Sequence, residues 1–223
     1  MDKTNRFAVE SMLSARAYNA VMGLCVLWGL VLDVAICVFA AQPLITWIVS
    51  NPSAFLILII GFFVAAIVTT LVIHRTQNPA VSFVAYTVLS AAIGILVATA
   101  VPLYTAQSIT EAFMLTTAVT AVMVVGGLLF PSLFLKMGRA LFFGLLVTLV
   151  LEFIFFLVNP YNYLANLAFN LIFVVIFALY IAFDFARSQQ YGKTLNNAIM
   201  CAADLYVDVV NLFLRLLQIS GRR

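Results

Sequence analysis

Six carboxylates lie inside or at the edge of long apolar stretches: Asp33, Glu111, Glu152, Asp184, Asp204 and Asp208. The other two acids, Asp2 and Glu10, belong to a polar N-terminal segment. An aspartate at the centre of a membrane span costs about 2.5 to 3.5 kcal/mol on insertion scales, so such groups face a bundle interior or a cavity. There they can hold and release protons, and they offer hard oxygen ligands to a cation such as Ca²⁺. Spacing groups them further. Asn197, Asp204, Asp208, Asn211 and Arg215 sit at offsets 0, 7, 11, 14 and 18, which at about 3.6 residues per turn form one narrow stripe. Asn166, Asn170 and Asp184 share a stripe by the same arithmetic, as do Thr148, Glu152 and Asn159. The stripes read either as the lining of one internal polar path or as hydrogen-bonding glue between helices. For the asparagines glue is the commoner case, and for the aspartates the path. Asp33 also reads as a neutral acid bonded to a neighbouring helix, and Glu111 as an interfacial residue suited to a helix N-terminus.

Asp184 descends toward the polar loop 188–194 and Asp208 ascends from it, which predicts that the two carboxyls face each other across a helical hairpin. Two carboxylates in contact cannot both ionise cheaply, so they share a proton and act as a pH sensor. Arg75, at the end of the second apolar stretch, is the available counter-charge. Its alternative role is a snorkelling residue that only sets topology.

The elements that must position these groups are long apolar runs. Apolar residues make up 65% of the 223-residue chain and charged residues 9%, against about 45–50% and 25% in soluble domains. Seven apolar segments are predicted, at about 21–40, 55–73, 81–100, 112–130, 141–158, 164–186 and 195–217, the last the least apolar. Breakers mark the joints: Pro43, Pro52, Pro79, Pro102, Pro131 and Pro160. The runs are continuous rather than alternating, which excludes a barrel. The expected fold is all-α, a polytopic seven-transmembrane-helix bundle forming a single domain over 1–223, with a short cytoplasmic tail at 1–18 and no cleaved signal segment.

Orientation follows the basic residues. Lys3, Arg6 and Arg16, then Arg75, then Lys136 and Arg139, then Arg187 and Lys193 fall at every second connection and so on one side of the spans, and loops 41–54, 101–111 and 159–163 carry no Lys or Arg. This places the N-terminus in the cytoplasm. Arg215, Arg222 and Arg223 run against seven crossings; a re-entrant last segment would return them inside, whereas its length favours a full crossing. Cys25, Cys37 and Cys201 all lie in apolar stretches and imply no disulfide framework, and a single histidine, His74, leaves no histidine cluster for a transition metal. No HExxH motif or serine–histidine pairing is present, so no enzyme is expected. Nothing in the charge pattern points to nucleic acid. No tightly bound cofactor is expected, and the partners are the bilayer and calcium ions.

Three stretches resemble a known family. Residues 203–217, ADLYVDVVNLFLRLL, are similar to the LYLDxxNLFxxLLR signature that ends members of the transmembrane Bax inhibitor motif family, also called the Bax inhibitor-1 family. Residues 179–184, LYIAFD, and 110–113, TEAF, match as well, and the short tails resemble bacterial members most. The resemblance implies a seven-helix protein of a bacterial inner membrane that leaks calcium in a pH-dependent way. It assigns the sensor to Asp184 and Asp208, which would also touch the passing ion, and the switchable arginine to Arg75. The resemblance gives no role to Asp204, Asn211, Glu111, Glu152 or Asp33, which are expected along the ion pathway from their own placement in the apolar stretches. Two departures stand out: the family position of Asp204 is usually small or hydroxylic, and an acid that some bacterial members carry in span two is missing from 55–73. The alternative implied function is an interaction protein that regulates a membrane protease or a stress or cell-death pathway.

Overall fold

A computed structural model describes residues 12–159 and 161–221. Asp2, Lys3, Arg6, Glu10, Pro160, Arg222 and Arg223 lie outside the described residues. The described chain is helical: α1 Ala15–Ser50, α2 Ala54–Arg75, α3 Pro79–Ala100, α4 Ala106–Leu129, α5 Pro131–Leu135, α6 Gly138–Val158, α7 Tyr163–Ser188 and α8 Leu195–Ser220. Short polar residues start many of them. Ser14, Asn78, Thr105, Asn162 and Thr194 each accept a hydrogen bond from a backbone N–H in the first turn, satisfying donors that a helix leaves open.

Six helices (α1 to α4, α6 and α7) are long and apolar enough to cross a membrane. Their outward residues are large and apolar, with Val38, Phe39, Val49 and Phe156 among the exposed side chains, as a lipid-facing surface requires. The seventh predicted segment, α8, has the length of a span, at 26 residues, but lies below the others in apolar content. Its position explains this. α8 packs against α1, α3, α4 and α7 and buries Ala198, Ala202, Ala203, Tyr206, Leu212 and Leu217, so most of its surface meets protein rather than lipid. Small alanines let neighbouring backbones approach closely.

Two local expectations are corrected. Pro43 does not end α1, which runs on to Ser50 for 36 residues. The proline removes one backbone donor, but the chain beyond it (residues 44–49) is still apolar, and in lipid a helix is the cheapest way to satisfy the remaining backbone groups. Secondly, α4 begins at Ala106 rather than near residue 112, because Thr105 caps it there through the Ser108 N–H at 3.2 Å. The five-residue α5, opened by Pro131, was not anticipated.

The ends of the bundle are tied by polar contacts. Ser82 Oγ donates to Asn196 Oδ1 at 2.6 Å and Asn196 Nδ2 donates to the Thr76 carbonyl at 3.1 Å, latching the α2–α3 connection onto α8. Tyr18 Oη donates to the Ser188 carbonyl at 3.2 Å, and the Lys193 ammonium sits 4.4 Å from the centre of the Tyr18 ring. The α7–α8 connection is thus held by the start of α1, and partial burial there pulls the Lys193 ammonium below its ordinary range.

A carboxylate cluster on the central hairpin

Asp184 is four residues from the end of α7 and Asp208 lies in the second half of α8, and the hairpin brings their carboxyls within hydrogen-bonding reach of each other. Both residues are buried. Asp184 Oδ1 and Asp208 Oδ2 are buried oxygens that meet no donor with hydrogen-bond geometry. A contact between two carboxyls satisfies both only when a proton lies between them. The structure places these two expected residues side by side on the hairpin.

The counter-charge beside them is Arg187. Its Nη2 donates to Asp204 Oδ2 at 2.6 Å and lies 3.0 Å from Asp184 Oδ1, while its guanidinium packs 5.3 Å from the centre of the Phe183 ring. Arg187 is one helical turn from Asp184, a spacing that places both on one face. Arg75, the residue expected in this role, is exposed at the end of α2, and among the described residues it forms no ion pair. What α2 contributes instead is His74, whose Nε2 lies 3.6 Å from Asp204 Oδ1 and whose Nδ1 contacts the Thr70 carbonyl at 2.9 Å. Three carboxylates thus surround one guanidinium and one imidazole.

These groups open onto a cavity of about 540 Å³. From α8 it is lined by Asp204, Asp208, Asn211 and Arg215, the predicted stripe, with His74 and Thr70 of α2, Tyr180 and Asp184 of α7 and apolar residues of α3 and α6. Asn197, the first member of the stripe, is not part of it: its Nδ2 donates to the Gly192 carbonyl at 2.9 Å in the connecting loop.

At the far end of the cavity Arg215 binds Glu152 of α6. Nη1 donates to Oε1 at 2.5 Å and Nη2 to Oε2 at 3.0 Å, a two-pronged contact, and Nη1 also donates to Asn170 Oδ1 of α7 at 3.1 Å. The guanidinium carbon stacks 3.8 Å from the centre of the Phe173 ring. Glu152, Asn170 and Arg215 therefore belong together, and Arg215 is an interior residue rather than a loop charge.

The remaining expected site residues sit elsewhere. Asp33 is buried on α1, where Tyr206 Oη of α8 donates to its two carboxyl oxygens at 2.8 and 2.9 Å. Gly94 of α3 lies against Asp33, and a Cβ there would overlap the carboxyl. That is the neighbour-bonded acid, away from the cavity. Glu111, in the second turn of α4, accepts from Gln107 Nε2 at 2.9 Å and also lies outside the cavity lining. Arg187, His74 and Tyr206 are the partners that sequence reasoning did not assign. The one-turn spacing of Asp184 and Arg187 was the available signal for the first.

A bundle of apolar helices around a polar central helix, with titratable groups facing a cavity between helices, defines a multi-pass membrane protein with an ionisable site in its bundle. The model of the family described as "Inhibitor of apoptosis-promoting Bax1" matches residues 10–223, and the chain belongs to that family. It is 27% identical over 164 residues, 74% of its length, to "Bax inhibitor 1" of Schizosaccharomyces pombe. The match spans 61% of that relative.

Proposed function

We propose that this protein is a passive, pH-sensitive cation leak, with calcium the permeant ion, gated by the Asp184–Asp208 pair. The observation that carries the reading is that both aspartates share a contact and line one cavity inside an apolar bundle. Losing the shared proton adds a second negative charge, which repels its neighbour and attracts Arg187. The helix contacts then have two alternative arrangements, which a gate requires. The cavity's hard oxygen groups suit Ca²⁺. We take α8 as a seventh crossing and the membrane as a bacterial inner membrane. The test is purified protein in liposomes loaded with a calcium dye, across a pH series. The expected outcome is pH-dependent entry without any partner. Absence of flux at every pH would sink the reading.

The N-terminus is assigned to the cytoplasm. Arg75, Lys136, Arg139, Arg187 and Lys193 flank alternate connections, and the neutralisation of Arg215 by Glu152 removes one charge that opposed this orientation. A cysteine at Gln190 is expected to label from the cytoplasmic side only, and labelling from outside reverses the assignment.

The second reading is an interaction protein, favoured by the word inhibitor in the names of the family and of the relative. Removal of residues 2–11 separates the two. The cut stops short of Leu13, whose N–H donates to the Lys193 carbonyl at 2.7 Å. Flux that survives the deletion supports the leak, and flux that needs a partner protein supports the second reading.

A further inference from the structure

Arg187 is shared unequally. Its Nη2 makes a hydrogen bond to Asp204 at 2.6 Å but only an ion pair to Asp184 at 3.0 Å, whose Oδ1 remains without a hydrogen-bond donor. The other claimant on Asp204 is His74, at 3.6 Å. The His74 ring is constrained by its second nitrogen: Nδ1 faces the Thr70 carbonyl at 2.9 Å, a contact that only an N–H satisfies. A neutral ring held this way presents a lone pair at Nε2 to the Asp204 carboxylate. Only the imidazolium donates to both partners at once. The His74–Asp204 contact therefore depends on the charge of the ring.

We propose that His74 and Asp204 are positioning residues for the aspartate pair, through competition for Arg187: a charged His74 takes over Asp204 and releases Arg187 to Asp184, and a neutral His74 returns Arg187 to Asp204. This rests on the reading of Asp184 and Asp208 as the sensor and names what sets its working range. The charged and titratable groups facing this site are His74 from α2, Asp184, Arg187 and Tyr180 from α7, and Asp204, Asp208 and Cys201 from α8, with Tyr191 in the connecting loop. The Cys201 thiol and the Tyr180 phenol are uncharged between pH 5 and about 7.5, since the ordinary ranges of such groups begin near 8.5 and 10. His74 and the Asp184–Asp208 pair carry the response.

The sign follows from the charges. His74→Gln puts an uncharged side chain there at every pH, so Arg187 stays with Asp204 and Asp184 is left less compensated. The pair then holds its proton to higher pH, and the pH midpoint of flux moves up. Asp204→Asn frees Arg187 for Asp184 and removes a negative charge, so the midpoint moves down. A shift of at least about half a pH unit is expected in each case, the size of a modest charge–charge coupling.

One readout is independent of flux. The chain has a single histidine, so protein carried in nanodiscs without a histidine tag gives one imidazole titration by NMR. The expected result is a His74 midpoint that falls by about half a unit or more in Asp204→Asn and rises in Arg187→Gln, where the competitor is gone. A His74 midpoint that stays within about 0.2 unit in Asp204→Asn overturns the proposal, as do flux midpoints of His74→Gln and Asp204→Asn that move in the same direction. Half-exposed His74 tolerates substitution, so its variant remains informative if Arg187→Gln fails to fold. If wild-type liposomes show no flux, the leak reading fails, and the NMR result still decides whether His74 and Arg187 compete.

Discussion

The two ionic clusters along α8 differ in balance. At one end Glu152 and Arg215 form a one-to-one, two-pronged pair, with Asn170 taking a further donor and Phe173 covering the guanidinium face. At the other, Asp184, Asp204 and Asp208 surround Arg187 and His74, and two buried carboxyl oxygens lack a hydrogen-bond donor. A saturated pair in low dielectric has one good arrangement and holds helices together. An overloaded cluster has several arrangements of similar energy, and the number of protons selects among them. Both set carboxylates against an arginine within the bundle, so charge within a span does not by itself mark a sensor. Stoichiometry does.

The largest effect that tests this contrast is on stability. Glu152→Gln leaves Arg215 without its carboxylate partner inside the bundle and is expected to cost about 3 kcal/mol, the lower end for breaking a buried pair because both side chains keep some exposure. Thermal unfolding in detergent measures it, and the double variant Glu152→Gln with Arg215→Met recovers most of the loss. A Glu152→Gln protein as stable as wild type would place the two clusters on the same footing and remove the contrast.

The second effect is on pH response. Asp184→Asn or Asp208→Asn removes like-charge repulsion and keeps hydrogen-bonding capacity, so stability is expected to stay within about 1 kcal/mol of wild type. With no proton left to share, the pH dependence of liposome flux flattens. If both variants keep the wild-type profile, the shared proton does not gate the path, and Asp204 becomes the better sensor.

The sequence exposes one side of each cluster and hides the other. Helical arithmetic on residues 204–215 places Asp204, Asp208, Asn211 and Arg215 on one face, and all four line the cavity. Hairpin geometry brings Asp184 to Asp208. These are local relations, fixed by the period of one helix or a short connection. The partners are set by packing between distant segments. Glu152 reaches Arg215 across 63 residues and Tyr206 reaches Asp33 across 173, and no periodicity records either. Arg75 and Arg187 illustrate the difference. Both end an apolar stretch near the same loops, and only the rotation of α2 about its own axis decides that His74 faces the cluster while Arg75 is exposed. The low apolar content of α8 was visible in the sequence. Its cause, enclosure by α1, α3, α4 and α7, is a property of the assembled bundle.

The smallest expected effect comes from Asn211, which separates the cavity's polarity from its titration. Its side chain lies one turn beyond Asp208 on the same face, lines the same cavity and donates from Nδ2 to the Val207 carbonyl at 2.8 Å on its own helix. That carbonyl already serves the helix, so Asn211→Ala removes a second, local bond and leaves no new buried group unpaired. The cost is expected to be below about 1 kcal/mol, the usual net contribution of one hydrogen bond. Asn211 carries no charge in either state of the aspartate pair, so its loss changes neither the repulsion within the pair nor the competition for Arg187. The flux midpoint of Asn211→Ala should therefore stay within about 0.2 pH unit of wild type while the flux itself changes modestly. A midpoint moved by half a unit or more would mean that neutral polar groups along α8 set the proton affinity of the pair, and the distinction between a saturated and an overloaded cluster would no longer explain which end of the cavity responds to pH.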